Sequence, residues 1–442
     1  MEPEQFYAQR DDRTARYGER RLDPQRAIII TADTGYLQTL EGQVAVITLA
    51  NLLSRMSPSL SLGFPDVALD PALPFQAQGL HAFVLGEMRG ADPFGRFEAR
   101  ALRPGDYAVH LGPEGPGWIT HGSGWNAYIG PSSSPLPPAG SGNPFGAAFA
   151  AIMAAAAIFN PQFPETIAPR TADTFGWTAA PGPKVPLVRP DTLGSVWIVG
   201  AGSVGSAVAY FLALCGFRFD PLLIDMDIVK IHNLDRSPVF TFEDLRGPKV
   251  EAVKRFLATA GLTAAVDPTS LRRSTAWQTR QAGTPDLLVS AANEDNVRYD
   301  IEQGYPPVQV FGTTGKSWQA TVFTLAPPHD PCSCCLFPPE KPADTACATD
   351  KVPAGETETD SVDAALPFLS FAAGLMTAIE IAKLGLPERP PSGNRAYFQP
   401  LADEVVMAIP AARRPGCGCE DRYAAVHQQM VGDGRYRRLY AF

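Results

Sequence analysis

Along most of the chain, short apolar runs closed by glycine or polar turns alternate with longer stretches of helical spacing. That is the pattern of an α/β protein. Residues 27–31 are short, apolar and β-branched and predict a buried strand; residues 39–53 predict a helix and 60–62 a second strand. Residues 1–25 are polar and arginine-rich and predict one helix with its lead-in. Residues 65–144 are rich in Gly, Pro and Trp, with a strand-like run at 108–111, and Asn143-Pro-Phe-Gly146 leads into a helix over 147–159. In the second half, residues 196–199 predict a strand, Gly200-Ala-Gly-Ser-Val-Gly205 a tight turn into a helix, and 222–225 an acid-tipped strand. Beyond them come a helix over 248–260, strands at 286–290, 308–311 and 319–325, a helix over 366–384 and a strand at 405–409.

Strand, turn, helix, strand thus occurs twice. The first turn, Ala32-Asp-Thr-Gly35, lacks the glycine triplet, so the first half is either a degenerate copy of the second or an unrelated α/β domain. The expected division is residues 1–165, a proline-rich linker at 166–192, and residues 193–442 with an irregular loop at 340–363. At 442 residues, 45% hydrophobic and 19% charged, the composition is that of a soluble globular chain. A net charge of −9 gives no overall attraction to nucleic acid or an anionic membrane. The N-terminus has no apolar signal core, and the richest apolar stretch, 145–159, is too short to span a bilayer. A cytoplasmic protein is expected.

The glycine turn lets a phosphate sit on a helix N-terminus, which nicotinamide and flavin enzymes also exploit. The residues after the turn narrow the chemistry: Asp225-Met-Asp227, Asn233-Leu-Asp-Arg236 and Gly247-Pro-Lys249. A dehydrogenase has no need of an Asn, an Arg and a Lys after its ribose-binding acid. An enzyme that adenylates a carboxylate does, because it brings two anions together and needs fixed cations at the developing charge. Taken singly, Arg236 and Lys249 read as a solvated surface pair. The seven cysteines are odd in number, and five lie close in sequence as Cys332, Cys334, Cys335 and then Cys417, Cys419. Such usage points to metal or thiol chemistry rather than a disulfide scaffold. Cys215 falls at helical spacing with Val204, Val208 and Phe211 and reads as core. No histidine has a partner in sequence, and none is assigned a role.

The ordered set running from Ser195 to Cys419 resembles the ubiquitin-activating (E1-like) superfamily, which includes the sulfur-carrier adenylyltransferases. The resemblance implies a Rossmann-like α/β adenylation domain with a mostly parallel sheet, preceded by a degenerate, inactive adenylation-like domain. It implies ATP over Gly200, Gly202 and Gly205, its ribose on Asp225, and its phosphates approached by Asn233, Arg236 and Lys249. The family's Mg²⁺-binding aspartate corresponds to Asn293, a weaker ligand for a hard cation. Asp295 or Asp227 supplies the missing charge, or adenylation is impaired. Ala15-Arg-Tyr-Gly-Glu-Arg-Arg21 is similar to a family helix that lends an arginine to the site, here Arg16 or Arg20; otherwise it is a solvated basic helix.

The resemblance further implies structural Zn²⁺ on Cys332, Cys335, Cys417 and Cys419, with Cys334 able to replace Cys332. The second pair has one spacer residue where the family usually has two. Cys347, at the start of the 340–363 crossover loop, is either the thioester nucleophile or a bystander thiol. The implied activity is ATP-dependent activation of a ubiquitin-like protein for an E2-like partner, as in bacterial conjugation operons with antiviral roles. Alternatives are a sulfur-carrier adenylyltransferase making a thiocarboxylate, and a non-catalytic nucleotide-binding scaffold. A homodimer remains open; a nucleic-acid partner is not expected.

Overall fold

The computed structural model describes residues 1–15, 27–159, 168–280, 284–292, 295–304, 306, 308–315, 318–326, 330–337, 366–386 and 393–424. The first sheet is built from β1 (Ile28–Ala32), β2 (Ser59–Leu62), β3 (Arg96–Ala99), β4 (Tyr107–Leu111), β5 (Trp118–Ser123), β6 (Asn126–Gly130) and β7 (Arg170–Asp173). Its order is β3-β2-β1-β4-β5-β6-β7, parallel from β3 through β5 and antiparallel beyond. The second contains β8 (Ser195–Val199), β9 (Asp220–Ile224), β10 (Ala265–Asp267), β11 (Leu287–Ser290), β12 (Gln309–Gly315), β13 (Gln319–Leu325), β14 (Arg395–Phe398) and β15 (Val406–Ile409). Its order, β10-β9-β8-β11-β12-β13-β14-β15, repeats the first sheet strand for strand and adds β15 at the edge. Parallel pairing again runs through five strands and turns antiparallel at β13. Both halves therefore follow one α/β strand order, which fits a tandem arrangement.

The halves meet through helices rather than sheet edges. Leu40–Ser54 and Phe145–Phe159 cover the first sheet, Ser203–Leu214 and Pro367–Leu384 the second. Three of the four are buried along their whole length, as expected of helices that are apolar on all sides. Small residues permit close packing within each half: a Cβ on Gly374 would lie 2.3 Å from that of Ala207, and one on Gly122 would lie 2.2 Å from the Ala147 backbone. Phe159 packs on Phe368 at 5.5 Å and Phe149 on Phe398 at 5.1 Å, so a single hydrophobic cluster runs through both halves. Pro367–Leu384, unlike the shorter helix at 145–159, is long and apolar enough to cross a membrane by length and composition alone. Here it is buried inside the protein. A polar lock fixes its end: Glu380 accepts from Trp177 Nε1 at 2.7 Å, Lys383 Nζ at 2.7 Å and Thr324 Oγ1 at 3.0 Å.

Three expectations change. Over the described residues the single N-terminal helix is two, Pro3–Arg10 and Asp12–Ala15, and the first buries Phe6 and Arg10. Phe6 is wholly buried between Phe94 of the first half and Phe242 of the second, and Arg10 pairs with Asp92 at 2.8 Å. A helix at Leu80–Ala91 interrupts the Gly- and Pro-rich stretch, burying Leu80, Val84, Met88 and Ala91 along one face. Finally, β7 lies inside the segment expected as a linker and pairs with β6, so that segment is part of the first sheet. Residues 340–363 lie outside the described residues.

Candidate active site

Each glycine of the turn after β8 has a different physical reason. Gly200 has φ +92°, and a Cβ there would meet the Ala292 nitrogen at 2.6 Å. A Cβ on Gly205 would stand 1.9 Å from the Gly200 oxygen. Gly202 has nothing within 4 Å and caps the helix Ser203–Leu214 without a side-chain hydrogen bond. The helix N-terminus thus opens on free space, which suits an anion. The first half differs: Asp33 caps a one-turn helix at Thr34–Leu37, accepting from Tyr36 N–H at 2.8 Å, and Thr39 caps the helix Leu40–Ser54, accepting from Gly42 N–H at 3.1 Å.

Asp225 lies at the end of β9, beside the turn. Its carboxylate accepts from Ala201 N–H at 2.6 Å and Asp227 N–H at 2.8 Å, and burial raises its pKa against the opposing pull of Lys249. Lys249, the first residue of the helix Lys249–Thr259, rests on Asp227 with Nζ···Oδ2 at 2.6 Å. Asn233 ends a short 3₁₀ turn and caps it by accepting from Lys230 N–H at 2.8 Å. Arg236 is 3% exposed and paired with Asp235 at 2.7 Å, which leaves donors of its guanidinium beyond that bond. The solvated surface pair is therefore ruled out for Arg236.

Sequence reasoning missed His232 and Arg13. Burial, and then the cations Arg236, Arg13, Lys230 and Lys249, pull the His232 imidazole down to about 3. Four positive side chains from three segments thus act on His232, and one of them, Lys249, also acts on Asp225 beside the glycine turn. Arg13 comes from the N-terminal arm, whose Thr14 donates to Asp235 at 3.1 Å. A basic residue just ahead of Arg16 was the available signal. Arg16, Arg20, Asn293 and Cys347 lie outside the described residues; Asp295 begins the helix Asp295–Gln303.

Asp235 gives this corner a pH dependence. Burial pushes its carboxyl from the ordinary 3.8 up to about 6 although Arg236 opposes the shift. A carboxyl raised in the folded state contributes stability that is complete below its unfolded value and is lost as pH rises through the folded one. Between about pH 4 and 6 the melting temperature of Asp235→Asn should therefore fall less than that of the parent. Parallel melting curves for the two proteins across that window would remove the assignment.

The cysteines of residues 332–335 and 417–419 gather in one cluster. The sulfurs of Cys332, Cys335, Cys417 and Cys419 all lie within 4.8 Å of one another, with Cys332···Cys417 at 3.5 Å and Cys335···Cys419 at 3.7 Å. A tetrahedral zinc with Zn–S of about 2.3 Å requires sulfurs roughly 3.8 Å apart, so the four fit one ion despite the single spacer at Gly418. Cys334 is buried beside the group and is not among the four. Glu302 joins this knuckle to the helix Asp295–Gln303, accepting from Ser333 N–H at 2.8 Å and Tyr423 OH at 2.6 Å. Cys215 is fully buried, its thiol pushed up to about 12 by burial, as core placement requires.

Comparison with known proteins gives this geometry a context. The model of the ThiF family matches residues 192–419. The SAMP-activating enzyme E1 of Haloferax volcanii is 28% identical over 229 residues, 50% of this chain and 78% of that protein. The adenylyltransferase and sulfurtransferase MOCS3 of Arabidopsis thaliana is 27% identical over 258 residues, 56% of this chain but only 52% of its own length. Among solved structures, E. coli MccB with MccA-N7isoASN has 19% identity and a TM-score of 0.39, covering 51% of this chain and 66% of that one.

Proposed function

The chain belongs to the ThiF family, and on that premise we propose that it activates a ubiquitin-like protein by adenylating its C-terminal carboxylate. The observation that carries the reading is the open glycine turn tied to Asp225 through Ala201 N–H at 2.6 Å, with Lys249 held on Asp227 two residues along at 2.6 Å. ATP is the substrate. Its phosphates take the turn Gly200–Gly205, and its ribose takes the Asp225 carboxylate. Asn233, Arg236 and Lys249 face the charge that grows as a carboxylate oxygen bonds to the α-phosphorus and the bond to pyrophosphate breaks. Asn293 with Asp295 or Asp227 would hold Mg²⁺, which would add to the neutralisation of that charge.

The thiolate of Cys347 then attacks the acyl carbon, and AMP leaves with the oxygen of the broken C–O bond, giving a thioester for an E2-like protein. The first half is inactive in this reading, since its turn lacks the glycine triplet and Thr39 already caps its helix. The setting we infer is the cytoplasm of a bacterium, in a conjugation pathway with an antiviral role. A sulfur-carrier route is the second reading, favoured by the sulfurtransferase named among the relatives.

Intact mass spectrometry of the full chain with ATP, Mg²⁺ and candidate ubiquitin-like proteins separates these outcomes. A hydroxylamine-sensitive adduct that Cys347→Ala abolishes supports the thioester route. A thiocarboxylate on the carrier supports the sulfur route. Absence of both, together with no carrier-dependent ATP–pyrophosphate exchange, leaves a nucleotide-binding scaffold and overturns the proposal.

A further inference from the structure

The backbone of the loop that carries Arg236 is held by a side chain from the other half. Arg55 follows the helix Leu40–Ser54 as its C-cap and is 2% exposed. Its Nη1 donates to the carbonyls of Leu234 at 2.7 Å and Phe240 at 3.1 Å, and its Nη2 to that of Pro238 at 2.7 Å. Nε donates to Asn51 Oδ1 at 2.7 Å, and Asn51 Nδ2 donates in turn to the Pro238 carbonyl at 3.1 Å. None of the three carbonyls belongs to a helix or a strand. Asp235 and Arg236 lie between these anchor points. Burial lowers Arg55 to about 10, with Glu87 opposing, so the guanidinium stays charged at neutral pH.

Helix capping alone would not require this geometry. A capping arginine satisfies the carbonyls of its own helix, whereas these donors go to three carbonyls spread from Leu234 to Phe240. The planar fork of guanidinium donors can hold all three at once, and a lysine cannot reproduce it. We propose that Arg55 is a positioning residue for the nucleotide: by fixing the 234–240 loop it sets Arg236 against the phosphates. The first half thereby completes the phosphate end of the second half's site. This rests on the reading that the pocket takes ATP.

The test uses the full chain as parent, Arg55→Met, Arg55→Lys and Asn51→Ala, with calorimetric titration of ATP·Mg²⁺ and of adenosine. A misplacement of about 1 Å costs on the order of a hundredfold in such sites. Arg55→Met should therefore weaken ATP by tenfold or more, on the order of that loss, while adenosine, which needs only the Asp225 end, stays within about twofold. Arg55→Lys should restore little, and Asn51→Ala, which leaves the guanidinium in place, should fall between. Equal losses for ATP and adenosine, or no loss for either, would overturn the inference. If Arg55→Met fails to fold, Asn51→Ala decides by the same ratio. Should the parent bind neither compound, the adenylation reading fails by itself. Hydrogen exchange on the ligand-free chains then decides whether Arg55 holds the loop: faster exchange at Ser237 and Phe240 in Asn51→Ala sustains it, and unchanged exchange refutes it.

Discussion

Lys249→Ala is expected to lower carrier-dependent ATP–pyrophosphate exchange by about a hundred- to a thousandfold, the cost of one fixed donor at developing charge, about 2.7–4 kcal/mol. The ammonium sits at the start of a helix and rests on Asp227 at 2.6 Å, so its position is set before any nucleotide arrives. Little stability should be lost, because the Asp227 side chain is 42% exposed and water can replace its partner. The effect should therefore appear in the rate and leave the melting temperature nearly unchanged. An exchange rate within about threefold of the parent would mean that Lys249 serves Asp227 and not the triphosphate, against the much larger loss expected of a fixed donor.

Removing zinc is the second large effect. Four buried or half-buried sulfurs crowded within 4.8 Å are poorly placed without an ion between them. Structural zinc sites bind with roughly 10–16 kcal/mol in peptides, and part of that is folding free energy. We expect one zinc per chain by elemental analysis and none in the double variant Cys335→Ser, Cys419→Ser. A loss of even about 4 kcal/mol lowers Tm by roughly 10 °C for a unit of this size. Because Glu302 ties the knuckle to the helix Asp295–Gln303, the damage should extend to the catalytic edge. A zinc-free double variant that melts with the parent would show that these sulfurs do not hold the fold.

What the sequence made legible was local. The glycine turn, the acid at the tip of β9 and the lysine opening the next helix are set by short spacings, and each lies where its spacing requires. The helix Leu80–Ala91 escaped because Gly86 and Gly90 fall within it and its surroundings read as loop. β7 escaped because it stands among prolines. Arg55, Phe6 and Thr14 escaped for a different reason: their partners lie in the other half, and no local pattern marks a contact across more than 170 residues of chain. Even so, the difference of the first turn was visible in part as a missing glycine triplet. Only the geometry showed that Asp33 and Thr39 cap the helices that follow it.

The apolar cluster that runs unbroken through both sheets has a consequence for concentration. An enzyme assembled from two separate copies loses its active form on dilution, as mass action pulls the copies apart. Here the supporting half is covalently present at every concentration. Dilution should thus never strip the site of its supporting half, whatever the association of whole chains.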